Sequence, residues 1–80
     1  MQSEEHDVIN ELLTLGVLTH KDGQLLVSDN FFLVMLAEGF VANENPREKI
    51  IRAIYQFVPT AEKEQVMTYV AMIEGYLLQN

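Results

Sequence analysis

Cysteine is absent from the chain, which excludes disulfides and thiolate metal sites. Basic residues are scarce. Five Lys and Arg stand against 12 Asp and Glu, a formal net charge of −7. Phosphate backbones repel such a surface, and nucleic-acid binding draws on clustered Lys and Arg. Direct binding of DNA or RNA is therefore disfavoured. Long apolar runs are missing too. The longest, Phe31 to Ala37, has seven residues, whereas a membrane span needs about 20. Only Met1 and Gln2 precede the first helix start, so no signal peptide is expected. The expected location is the cytoplasm, with no membrane partner. The four glycines are scattered, and no phosphate-cradling loop can be built from them.

The 80 residues fit a single small acidic domain spanning residues 1–80. A chain of this size buries a thin core, and small domains often lean on disulfides, metals or a partner chain. Without cysteine, the remaining support is the apolar core itself, extended by self-association. Apolar residues make up 49% of the chain, enough to argue against disorder.

Ser3 is placed to cap a first helix, with Glu4, Glu5 and Asp7 at the positive end of its dipole. Val8, Ile9, Leu12, Leu13 and Leu15 recur at helical spacing, and Gly16 follows where a left-handed stop is expected. The helix is expected over residues 4–15. Asp22-Gly23 then marks a type I′ hairpin turn, whose two central residues both need positive φ. The register pairs Lys21 with Gln24, His20 with Leu25, Thr19 with Leu26 and Leu18 with Val27. One face then holds Leu18, His20, Leu25 and Val27. A lone hairpin is marginal in water, so it packs on helices or pairs through an open edge with another chain.

Ser28-Asp29-Asn30 starts a second helix, and an apolar stretch from Phe31 to Ala42 follows, interrupted only by Glu38 and Gly39. Helical spacing puts Phe31, Phe32, Met35 and Leu36 on one face and Leu33, Ala37, Phe40 and Val41 on the other. A helix apolar all round must be buried all round. Asn45-Pro46-Arg47-Glu48 reads as a capping box, with Pro46 in the first turn. Glu48 and Arg52 form an i,i+4 pair, and Pro59 stops this third helix. Thr60 is read as the cap of a fourth, whose stripe is Val66, Tyr69, Val70, Ile73 and Leu77, flanked by Met67, Met72 and Tyr76. The short Val58-Pro59-Thr60 connection favours an αα-hairpin. The expected fold is therefore mostly α with a minor β part: four helices, one β-hairpin between the first and second, order α-β-β-α-α-α, and a C-terminal αα-hairpin. No internal repeat, low-complexity segment or domain linker interrupts it.

The stretch from Leu12 to Val27 resembles the back half of a winged-helix domain, in which a helix ends at Gly, a short strand follows and a hairpin forms the wing. The resemblance covers these 16 residues and implies an accessory winged-helix-like regulator. No helix-turn-helix precedes it, and the helix in the recognition position carries Glu4, Glu5, Asp7 and Glu11 with no Lys or Arg. A DNA-reading helix needs donors for phosphates and base edges, so the use this scaffold implies is protein contact.

Catalytic constellations do not emerge. His6 and His20, the only histidines, lack the further ligands a metal site needs. Ser3 and Ser28 read as helix caps, and neither lies in a Gly-x-Ser-x-Gly elbow. Glu4-Glu5 and Glu62-Glu64 sit in first helical turns, where the dipole explains them. Arg47, Lys49 and Arg52 form a solvated basic face. Met35, Met67 and Met72, with Tyr55, Tyr69 and Tyr76, suit a core edge or an interface. No metal and no cofactor is expected.

The expected function is a non-enzymatic protein–protein interaction module. It self-associates, as a homodimer, through an apolar helical surface with an acidic rim. The candidate interface residues are Leu33, Ala37, Phe40, Val41, Tyr69 and Tyr76. The alternative is a small acidic inhibitor or regulator docking on a basic, nucleic-acid-binding surface of a partner protein.

Overall fold

The first helix must hand the chain to a hairpin, and Gly16 makes that possible. In the computed structural model, which describes residues 4–77, helix α1 spans Glu4–Leu15. Gly16 adopts φ +84°, a region L side chains rarely enter. Its N–H donates to the Leu13 carbonyl and the Val17 N–H reaches the Leu12 carbonyl, a Schellman stop that satisfies the orphan carbonyls of the last turn. The expected cap at Ser3, and the expectations for the side chains of Glu4, Glu5 and His6, lie outside the described residues.

Strands β1 (Leu18–Lys21) and β2 (Gln24–Val27) pair antiparallel in the expected register. Asp22 and Gly23 take φ of 52° and 77°, as the two-residue turn requires. Leu18 is buried, and Leu25 and Val27 pack against the core. His20, expected to share their cover, is exposed. It lies next to the turn, and along β1 burial ends at Leu18.

Ser28 joins the hairpin to both flanking helices. It is the one buried polar residue among those described. Its N–H donates to the Val17 carbonyl at 2.8 Å. Its hydroxyl donates to the Gly16 carbonyl at 2.6 Å and accepts from the Phe31 N–H at 3.1 Å. The residue therefore caps helix α2 (Asp29–Ala37) while holding the end of α1 beside it.

Helix α2 is shorter than the apolar run suggests. The helix expected to continue through Ala42 ends at Ala37. Gly39 has φ +98°. Its N–H donates to the Leu36 carbonyl, and the Phe40 N–H folds back to the Met35 carbonyl. Local backbone geometry thus overrides hydropathy. Phe40 turns its ring onto Phe32, with centroids 5.7 Å apart at 72°.

Helix α3 spans Arg47–Phe57 and helix α4 Lys63–Leu77. The Asn45 side chain accepts from the Arg47 N–H at 3.0 Å, and Pro46 already has helical backbone angles. Glu48 does not complete the box; it pairs with Arg52 at 3.6 Å. Thr60 does not cap α4. It lies in a turn closed by the Ala61 N–H on the Val58 carbonyl, and the helix begins at Lys63. Arg47 at the start of α3 meets Glu74 near the end of α4 at 2.7 Å, so the two helices run antiparallel.

The core gathers Leu12, Phe31, Met35, Ile50, Ile54, Val66, Val70 and Ile73, all fully or nearly fully buried. Phe31 and Phe57 meet edge to face at 5.3 Å. Burial of each such side chain contributes about 1.5–3 kcal/mol. Helix α2 packs on α3, while α1, α4 and the hairpin close the other side. No helix among the described residues is long and apolar enough to cross a membrane.

Ser28→Ala is expected to lower the unfolding free energy by about 2 kcal/mol, because it removes a helix cap and leaves the Gly16 carbonyl short of a partner. Urea titration of this variant beside Asn30→Ala, an exposed change expected within about 0.5 kcal/mol, checks it. Gly39→Ala is expected to cost about 1–2 kcal/mol in the same assay, since alanine must enter the left-handed region.

Candidate functional site

Two surfaces stand out, and the first is the outer side of α2. The helix carries only one charged residue, Asp29. Phe31 and Met35, one turn apart, point into the core with Val34 beside them. The remaining apolar residues face outward: Leu33 is 61% exposed, Leu36 45% and Phe32 37%. Ala37 is exposed, and Val41, just past the helix end, is 53% exposed. Asp29 and Glu44 lie exposed at the two ends of this stretch. Helix α2 is thus an edge element with one side uncovered.

The candidate residues divide accordingly. Leu33 and Ala37 lie on this outward side, and Val41, past the turn at Gly39, is also exposed. Phe40 is half-buried and folded against Phe32. Tyr76 is half-buried against the core. Tyr69 is only 2% exposed and offers almost no surface to a partner. Phe32 and Leu36, grouped by helical spacing with Phe31 and Met35, belong to the outer side instead. Helical spacing alone carried no signal that separates them: it is the structure that limits the buried sector of α2 to Phe31, Met35 and Val34, and both residues fall beyond it.

The second surface is a cleft between α1 and α4. Its centre is Tyr69, whose hydroxyl donates to Glu11 Oε2 at 2.9 Å and accepts from Gln65 Nε2 at 2.8 Å. Burial of the phenol raises its pKa above the usual 10.0, and the bond to the Glu11 carboxylate and that group's charge push it the same way; the Gln65 bond opposes them. On one side lies a hollow of about 360 Å³ lined by Leu15, Val58 and Thr14. On the other lies one of about 470 Å³ bordered by Glu62, Glu64 and Thr68. Glu11, Gln65 and Tyr69 line both.

The cations sit elsewhere. Arg47 is paired with Glu74. Arg52 reaches Glu48 at 3.6 Å and Glu38 at 4.0 Å, and Gln56 also hydrogen-bonds Glu38. The basic face of α3 is therefore largely neutralised within the fold. Among the described residues no group of three or more His, Asp or Glu is placed to hold a metal ion. Ser28 is committed to its cap, and His20 stands exposed near the hairpin turn.

Because the folded-state pKa of Tyr69 is raised, its contribution to stability is present below about pH 10 and is lost as pH climbs through the folded value. Tyr69→Phe is expected to cost about 1 kcal/mol at pH 8. The gap to the parent chain should narrow as pH is raised above 10 and through the folded value, as urea unfolding at a series of alkaline pH values reads.

Compared with family models, with curated proteins and with solved structures, the chain has no match in any of the three.

Proposed function

We propose that this protein is a non-enzymatic interaction module that self-associates as a homodimer through the outer face of α2. The observation that supports this reading is the uncovered apolar side of that helix, with Leu33 at 61% and Leu36 at 45% exposed. Contiguous apolar surface on a small protein marks an interaction site more often than it occurs idly. Phe32, Leu33, Leu36 and Ala37 lie on successive turns, so two copies of α2 can lay these residues against each other about a twofold axis. Asp29 and Glu44 form an acidic rim at the ends, where they stay in water and discourage misaligned pairings.

The rigidity of the helix favours the same use. Ser28 fixes one end of α2 and Gly39 the other, so little conformational entropy is lost when its outer face is covered. Phe40, folded over Phe32, presents a preformed edge to the surface.

Light scattering coupled to size-exclusion chromatography tests the reading. The parent chain is expected to run as a dimer at tens of micromolar, and apolar burial should keep it so in about 1 M salt, where surface charges are screened. Leu33→Asp places a charge at a solvent-exposed position, so it should give a monomer of unchanged helicity. A parent chain that stays monomeric near millimolar concentration would overturn the proposal.

A further inference from the structure

The charge of the α1–α4 cleft sets it apart from the α2 face. Glu11, Glu62 and Glu64 converge on one hollow, and none of them takes part in an ion pair among the described residues. Helix α1 has no Lys or Arg. Lys63, between Glu62 and Glu64 in sequence, lines neither hollow. Arg47 and Arg52 are engaged elsewhere on α3. Immediately beside the carboxylates, across the Tyr69 hydroxyl, the adjoining hollow is largely apolar, with Leu15 and Val58 in its walls.

We infer that this cleft binds a short basic segment of a protein partner, seating an apolar side chain on Leu15 and Val58 and a neighbouring Lys or Arg among Glu11, Glu62 and Glu64. Charge complementarity selects the occupant. A second copy of this chain, with net charge −7, brings a net repulsion to a carboxylate cluster. A nucleic acid is repelled by them. A simple polyamine satisfies the acids and leaves the apolar hollow wet. A peptide pairing an apolar and a basic residue uses both halves, and the long aliphatic stem of Lys or Arg suits the boundary between them. Glu11 is held ready by the Tyr69 hydroxyl, which Gln65 holds in turn, so the carboxylate needs little ordering on binding.

The test is a titration of the full, isotope-labelled chain with a capped six-residue peptide of alternating leucine and arginine, followed by amide chemical shifts. It is run on the parent chain and on Leu33→Asp, so that the α2 proposal can fail without affecting this one. Shifts are expected at Leu15, Gln65 and Tyr69. Affinity should fall about tenfold between about 20 mM and about 200 mM salt. The double variant Glu62→Gln, Glu64→Gln should bind about fivefold more weakly or worse, with helicity retained and only the small loss of thermal midpoint that removing two first-turn charges brings. Absence of shifts in the cleft overturns the inference. Equal binding of spermine, equal binding of a leucine–glutamate peptide, or an unaffected double variant overturns it as well.

Discussion

One residue, Ser28, holds three elements in register. Ser28 donates to the Gly16 carbonyl and accepts from the Phe31 N–H, while its own N–H returns to Val17. The end of α1, the close of the hairpin and the start of α2 therefore meet at a single buried residue. A buried polar group is costly unless fully partnered, and the need to satisfy Ser28 selects one geometry for all three. Phe31, released from the same turn, points into the core against Phe57. The placement of α2 at the edge of the molecule, with its outer side open, follows from that anchor.

Where a residue type dictates local backbone geometry, the sequence could be read directly. Gly16, Asp22-Gly23, Ser28 and Asn45 each act as their chemistry requires, and the hairpin register follows from its turn. Hydropathy was a poorer guide. Phe40 and Val41 continue the apolar run, yet Gly39 turns left-handed and ends α2 before them. Thr60 has the side chain of a cap, but the turn after Pro59 delays the helix to Lys63. The same limit applies to surfaces. The apolar surplus of Leu33, Ala37 and Val41 was visible as periodicity, whereas the burial of Tyr69 was not. Periodicity identifies a stripe and leaves open which edge of it meets solvent. The α1–α4 cleft was invisible, because Glu11 and Tyr69 are brought together only by tertiary packing.

The two surfaces differ in kind. The α2 face is apolar, carried by one rigid helix and bounded by acid at its ends. The cleft mixes apolar walls with carboxylates and is assembled from two helices distant in sequence. The proposed association through the first would depend on area removed from water and tolerate salt. The proposed binding in the second would depend on charge and be weakened by it. On these proposals, one small protein holds two kinds of contact whose strengths respond oppositely to ionic conditions.

The internal pairing of Arg47 and Arg52 with Glu74, Glu38 and Glu48 has an effect beyond α3. By pairing charge there, it leaves Glu11, Glu62 and Glu64 outside any ion pair among the described residues, with Lys63 the one cation beside them in sequence, so the acid excess is unevenly spread over the surface. An approaching cationic body experiences a torque as well as a pull, and is rotated toward the cleft before any atom touches. On the proposed reading of the cleft, the arginines on α3 would therefore help to aim encounters elsewhere on the surface.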